Sequence, residues 1–166
     1  EFATIFDKED LAYIKSFRLI HTSNNSFIDG EIPKLEGTGV PISYDFSDNF
    51  TPQRLDAICP HIRFAFLSCA ALTEEKTKEL LEEIGRRRCP TALATRGSLG
   101  AICRDGGAFY SCSPIPTKPV DTLGAGDAFT AGFLVGVCSE GDIISNTPLS
   151  PQLIENAMQA GSRQAH

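Results

Sequence analysis

Ile62 to Leu67, I-R-F-A-F-L, is the stretch that most constrains this 166-residue chain. It is nearly continuously apolar, without the alternation of a half-exposed strand, so it suits a strand buried on both faces of a parallel sheet. Its neighbours fit that reading. Residues 17–22, F-R-L-I-H-T, predict a first strand, and Ser23-Asn24-Asn25-Ser26 a polar break after it. A helix is expected to follow to about Leu35, closed by Gly37 and Gly39. Pro41 to Phe46 alternates apolar and polar and predicts the next strand. Thr51-Pro52 gives an N-cap and a first-position proline for a short helix ending near Cys59-Pro60. Thr73 caps another helix, with Glu74 and Glu75 in its first turn and Arg86, Arg87 and Arg88 in its last. The arginine run reads as a solvated helix end. Pro90 to Thr95 is a further strand, and Leu99–Arg104 and Ala108–Cys112 flank the hairpin signal Asp105-Gly106-Gly107. Ser150-Pro151 opens a last helix whose apolar face is Leu153, Ile154, Ala157 and Met158. This pattern predicts one α/β domain: a mainly parallel sheet, helices on both faces and a late β-hairpin. Ligands in such sheets bind beyond the C-terminal ends of the strands. Here those ends carry residues 23–25, 45–48, 68–72, 96–100 and 123–126.

Residues 119–134, P-V-D-T-L-G-A-G-D-A-F-T-A-G-F-L, carry the chemistry. Gly124, Ala125 and Gly126 leave their backbone N–H groups unobstructed. The helix that follows begins with unpaired N–H groups and the positive end of its dipole. Such a turn is an anion site, most naturally for phosphate. Asp127 stands at the same end. A carboxylate repels phosphate, so its place there suits a base that takes the proton from a hydroxyl attacking phosphorus. The other reading is a cap or dipole partner in a first helical turn. The helix itself, from Ala128 to Cys138, is apolar almost all round and is expected to be central and buried. Gly132 and Gly136 lower its propensity, which fits a neighbour packed close against it.

D-T-L-G-A-G-D, Asp121 to Asp127, followed by Ala128-Phe129 and a glycine-bearing apolar helix, resembles the C-terminal signature of the ribokinase (PfkB) sugar-kinase family. The resemblance implies a ribokinase-like, Rossmann-like fold and ATP with Mg²⁺ as donor. It implies Asp127 as catalytic base, with Gly124, Ala125 and Gly126 as the anion hole for the transferred phosphoryl group. Thr95-Arg96-Gly97-Ser98-Leu99-Gly100 resembles the family's T-x-G-x-x-G segment. That assigns nucleotide contacts to Thr95 and Gly97 and leaves Gly100 to shape the turn. Asn156, in L-I-E-N-A-M-Q-A-G, stands where the family often has an adenine-side Asn; a solvated helix Asn explains it nearly as well. Asp121 and Thr122 read first as loop-shaping residues, and second as a loop that holds a monovalent cation through backbone oxygens. Many members carry N-x-x-E after the strand before the long helix, whereas this chain reads Ser68-Cys69-Ala70-Ala71. No protein ligand for Mg²⁺ is therefore assigned, and the ion is expected to travel with ATP. Asp45 and Asp48 read as turn or cap residues, with a water-mediated approach to Mg²⁺ as the alternative. Y-D-F-S-D followed by H-I-R-F-A-F also resembles the fructosamine branch of the family, fructoselysine 6-kinases in particular.

The implied activity is transfer of the γ-phosphoryl group of ATP to a primary hydroxyl of a sugar or sugar–amine adduct. Two alternatives stay open: a same-fold kinase for ribose, fructose, a nucleoside or a vitamin alcohol, and a nucleotide-binding module without catalysis. A dinucleotide oxidoreductase wants G-x-G-x-x-G just after an early strand, but this turn comes late and reads G-A-G-D-A-F. Family members are considerably longer. Residues 1–166 are thus expected to be a partial ribokinase-like domain, without the N-terminal sugar-binding and lid part or the extreme C-terminus, and inactive alone. The net charge of −6 gives nucleic acid or an anionic membrane no attraction. No apolar run approaches the ~20 residues of a membrane span, and the mixed, acidic start is not a signal peptide. Six cysteines without a C-x-x-C predict reduced, mostly buried thiols of a cytoplasmic protein. The expected partners are the sugar substrate and ATP, and a homodimer is left open.

Overall fold

The computed structural model describes residues 4–115, 124–140 and 142–165. Six strands form one sheet in chain order: β1 (Ile20–Ser23), β2 (Ile42–Asp45), β3 (Phe64–Ser68), β4 (Thr91–Thr95), β5 (Ala101–Asp105) and β6 (Ala108–Cys112). β1 to β4 run parallel, and β5 and β6 add antiparallel. These are the six strands expected, with no end moved by more than three residues. Gly106 and Gly107 turn the β5–β6 hairpin at φ 55° and 92°. Both are left-handed, as a two-residue turn matched to strand twist requires.

The apolar run at β3 is covered on both faces. α2 (Ile32–Glu36), α3 (Pro52–Ile58) and α4 (Glu74–Arg86) lie on one side. Their Ile32, Leu35, Leu55, Ile58, Leu81 and Ile84 share a core with Ile42, Tyr44, Ala65 and Leu67 of the sheet. α1 (Lys8–Ile14), capped by Asp7, adds Leu11 and Ile14 to the margin of that core. Each parallel crossover steps to the next strand in the same direction, so crossovers of one hand put their helices on one face. α5 (Ala125–Glu140) and α6 (Pro151–Gln164) take the other face, packing Phe133, Val137, Ile154 and Met158 on Phe64, Phe66, Leu93 and Cys103.

The expected caps form. The Thr51, Thr73 and Ser150 hydroxyls accept from the N–H groups of Arg54, Lys76 and Leu153 at 3.3, 3.3 and 3.2 Å. The helix expected up to Leu35 is broken instead. Two 3₁₀ turns, Asn24–Ser26 and Asp29–Glu31, precede α2. Phe27 between them sits at φ 54°, which no right-handed helix contains. The six cysteines are unpaired, and four of them are buried. Burial pushes the Cys69 thiol up to about 11 and Cys59 up to about 12. Among the described residues no helix is long and apolar enough to cross a membrane.

α5 is not buried all round. Ala131 is exposed and Val135 is 67% exposed, because the helix forms an outer layer beside α6. Its inner side is unusually close to that neighbour. A Cβ at Gly132 would lie 2.8 Å from the Ala160 carbonyl oxygen, and one at Gly161 would lie 2.7 Å from the Phe129 carbonyl oxygen. One at Gly136 would meet the Ala157 Cα at 3.0 Å. The propensity lost at these glycines is thus the condition for backbone contact. Gly132→Ala gains about 1 kcal/mol of helix propensity, yet overpacking costs about 1–3 kcal/mol. We expect Gly132→Ala and Gly161→Ala each to lower the urea midpoint. Gly126→Ala meets no atom of the described residues within 4 Å of its new Cβ and should not lower it. A stabilised Gly132→Ala would show that the two helices are free to separate.

Candidate functional site

The loops at the C-terminal ends of the strands are laced into one edge. Ser68 N–H donates to the Ser47 carbonyl at 2.7 Å, and Cys69 N–H to the Thr95 carbonyl at 2.8 Å. Ser47 Oγ donates to Asn24 Oδ1 at 3.5 Å. A Cβ built on Gly97 would be 3.8 Å from that of Ala70. The chain ends after β1, β2, β3 and β4 are therefore neighbours, as the sheet topology requires.

The N-terminus of α5 reaches the same edge. Gly124 adopts φ 78°, where a side chain is disfavoured, and among the described residues a Cβ at Gly124 or Gly126 would meet nothing within 4 Å. The first bond of the helix runs from Ala128 N–H to the Gly124 carbonyl at 2.9 Å. The N–H groups of Ala125, Gly126 and Asp127 thus precede the intrahelical ladder. Ala125 and Gly126, expected in a turn, are already the first helical residues, and Gly124 just before them is at positive φ. This sharpens the geometry: the N–H groups of a helix are more nearly parallel than those of a loop, and 16 residues of aligned dipoles stand behind them. Asp127 is exposed in this first turn. Asp121 and Thr122 lie outside the described residues.

Asp127 acts on two further titratable groups. His21 of β1 and Asp45 of β2 sit on the sheet face that α5 covers. Burial holds the His21 imidazole below its ordinary 6.5, while the carboxylates of Asp45 and Asp127 pull it upward. Its Nδ1 is 3.0 Å from Ser43 Oγ on the paired strand. Burial likewise raises the Asp45 carboxyl above 3.8, opposed by the Ser47 N–H and His21 and reinforced by Asp127. Asp45 Oδ1 accepts that N–H at 2.6 Å, so the turn role expected of it is present. His21 carried no signal in the sequence, because a single His in a strand looks like any half-buried one. Only the sheet register sets it on the same face as Asp45, where its side chain is still exposed. Among the described residues no group of three His, Cys, Asp or Glu side chains gathers as a metal site.

Thr95 and Gly97 stand at the same edge, two strands over from Asp45. Thr95 Oγ1 donates to the Leu67 carbonyl at 3.4 Å, and Gly97 has φ 56° and is exposed. Gly100 is the turn-shaping residue expected: a Cβ there would fall 2.1 Å from the Cys112 carbonyl oxygen. Arg96, between them, is 8% exposed, with its Nη1 3.8 Å from Glu74 and its Nε without a partner. Asn156 is elsewhere. Ala157 packs on Gly136, nine residues along α5 from Asp127, or ~13 Å of axial rise. Asn156 itself is exposed and accepts from Gln152 Nε2 at 3.0 Å. The structure therefore unites Gly124–Asp127 with His21 and Asp45, flanks them with Thr95 and Gly97, and sets Asn156 apart.

Residues 47–147 match the family described as pfkB family carbohydrate kinase. Over 138 residues the chain is 37% identical to a fructosamine kinase, FrlD, of Bacillus subtilis, covering 83% of this chain and 48% of that protein. Over 130 residues it is 35% identical to a fructoselysine 6-kinase of Escherichia coli, covering 78% and 49%. The chain thus spans about half the length of the curated relatives it matches. A structure of Arabidopsis thaliana ribokinase, complexed with ribose and ATP, superposes with a TM-score of 0.72 at 20% identity. It covers 95% of this chain and 53% of the ribokinase, and it shows the ribokinase-like fold. The family match spans Thr95, Gly97 and Gly124–Asp127 and ends before Asn156.

The lowered His21 pKa fixes the sign of a pH effect. The unfolded chain takes up the imidazole proton at a higher pH than the folded chain does. Stability linked to His21 is therefore full above 6.5 and falls as pH drops through the window below it. The raised Asp45 acts oppositely: its contribution is full below 3.8 and is lost as pH rises through the folded value. His21→Gln is expected to lose less stability than the unaltered protein between about pH 7.5 and about pH 5.5 in urea titrations. An unchanged slope would place the imidazole in water.

Proposed function

The chain belongs to the pfkB family of carbohydrate kinases, and from that membership we propose that it forms the nucleotide-binding, phosphoryl-transfer part of an ATP-dependent sugar kinase. The observation that carries the reading is Asp127, exposed in the first turn of α5, directly after a glycine held at φ 78°. A base and an open set of N–H donors share one helix end. Asp127 takes the proton of the acceptor hydroxyl as its oxygen attacks the γ-phosphorus. The N–H groups of Gly124, Ala125, Gly126 and Asp127 stabilise the charge on the transferred group, and they are already oriented before the reaction starts. Phosphoryl transfer depends mainly on such positioning and on charge stabilisation.

The nucleotide lies along the edge from the α5 N-terminus towards Thr95 and Gly97, two strand spacings from β2, roughly 10 Å. Asn156 reaches the same ligand only if it extends along the α5–α6 pair. Mg²⁺ bound with ATP would neutralise its phosphates. No protein ligand is assigned to the ion, and Asp127 is kept for the proton transfer. A monovalent cation is assigned to the Asp121–Thr122 stretch, following the family resemblance. The acceptor approaches over β1 and β2, where His21 and Asp45 face α5. Identity to a fructosamine kinase and a fructoselysine 6-kinase favours a sugar–amine adduct, phosphorylated on a primary hydroxyl.

In the protein that carries this chain, Asp127→Asn should cut turnover by ~10²–10⁴-fold, the range for losing a general base. ATP affinity should hold or improve, since a negative charge beside the phosphates is gone. Rapid-quench single turnovers at near-normal rate would remove Asp127 from the proton transfer. Ranking kcat/KM for fructoselysine, fructose and ribose tests the acceptor separately.

A further inference from the structure

A second polar site lies at the opposite edge of the sheet. A cavity of about 210 Å³ opens where β2 and β3 begin, walled by the 39–41 loop, His61, Arg63, Arg88 and Asn146. It is smaller than the ~300–1,000 Å³ of drug-sized ligand sites, so a nucleotide is too large for it.

Three observations give it a sign. Arg63 is 3% exposed, and its guanidinium is held by Thr91, the Thr147 carbonyl at 3.1 Å and Asp105 at 3.7 Å. Its Nε has no partner among the described residues. His61 is paired with Glu36 at 2.7 Å, so the one carboxylate in the cavity wall is engaged. Arg88 is exposed and makes no ion pair among the described residues, while its neighbour Arg87 binds both Asp56 and Glu83. Arg88 also sits at φ 74°, with its N–H bonded to the Gly85 carbonyl at 3.0 Å. That is the position after a helix where glycine is ordinarily found. A bulky cation held there despite the backbone cost marks a functional candidate. Beyond the shared 39–41 wall, a second cavity of about 240 Å³ adds Lys15 and Arg18, with Asp142 as its acidic residue.

We propose that this cavity binds a small phosphate-bearing anion, separate from the site at the α5 N-terminus. Arg88 supplies the charge, Asn146 and Arg63 are among the residues that line the cavity, and the volume admits a phosphate on a short carbon chain. The sequence alone reads the arginine run as a solvated helix end. The fold turns its last member back over the start of β3.

The test is NMR titration and thermal unfolding of the protein that carries this chain, at constant ionic strength. Inorganic phosphate and glycerol phosphate are the probes, with chloride as reference. Saturable shifts at the amides of Gly39, His61, Arg63 and Asn146 are expected, and Gly124–Asp127 report the other site independently. Arg88→Gly should raise the unfolding midpoint without ligand, because the left-handed backbone suits glycine, and should weaken phosphate at the first set of amides at least ~10-fold. Tighter glycerol phosphate than phosphate assigns the carbon chain to the cavity; equal affinity makes phosphate the whole ligand. Shifts confined to Gly124–Asp127, or an Arg88→Gly protein that responds as the unaltered one does, would overturn the proposal.

Discussion

The close approach of α5 to α6 is the constraint on which the candidate site depends. Glycines at 132 and 161 let the two backbones meet at distances where any Cβ would collide, and a Cβ at Gly136 would be tight. Phe133 of α5 then packs edge-on against both Phe64 and Phe66, with ring centroids 6.3 and 5.7 Å apart. A helix clamped on one side by backbone contact and beneath by two aromatic rings of β3 has little freedom to slide. Its first turn is consequently fixed over the C-terminal ends of the parallel strands. Positioning of that kind is what stabilising a developing charge needs, since donors that must first reorganise contribute less.

Electrostatics at that edge are locally arranged against a net charge of −6. The partial positive end of α5 and the His21 imidazole face the carboxylates of Asp45 and Asp127. Burial works against the charged form of His21 and of Asp45 alike. In each, desolvation disfavours the charged form and the other residue's charge favours it. Asp127, exposed, is the carboxylate left accessible to a ligand. A base for a sugar hydroxyl has to be reachable in this way.

Most of the fold was legible because its signals are local. Thr51-Pro52, Thr73 and Ser150-Pro151 declare helix starts by capping chemistry, and Gly106-Gly107 declares a hairpin. The unbroken run at Phe64–Leu67 requires cover on both faces. The misreadings arose where tertiary context decides. Phe27 in the left-handed region breaks a helix that its neighbours would have allowed. Val135 is exposed although the α5 sequence is apolar all round, because a helix pressed by glycine against one neighbour has its other flank outside. The site was legible where a motif is contiguous, at Gly124–Asp127 and at Thr95–Gly97. His21 and Arg88 were not legible, since neither has a sequence partner. A parallel register and a left-handed helix end place them.

The claim that the α5 N-terminus is the phosphoryl-transfer site is tested most directly by backbone amide NMR of the protein that carries this chain. ADP with Mg²⁺ is added first, and then a fluoride mimic of the transferred phosphoryl group. The account predicts that ADP shifts Thr95 and Gly97, and that the mimic adds its largest downfield shifts at the Ala125, Gly126 and Asp127 N–H groups. A mimic that leaves these three amides in place while perturbing another part of the sheet edge would contradict it.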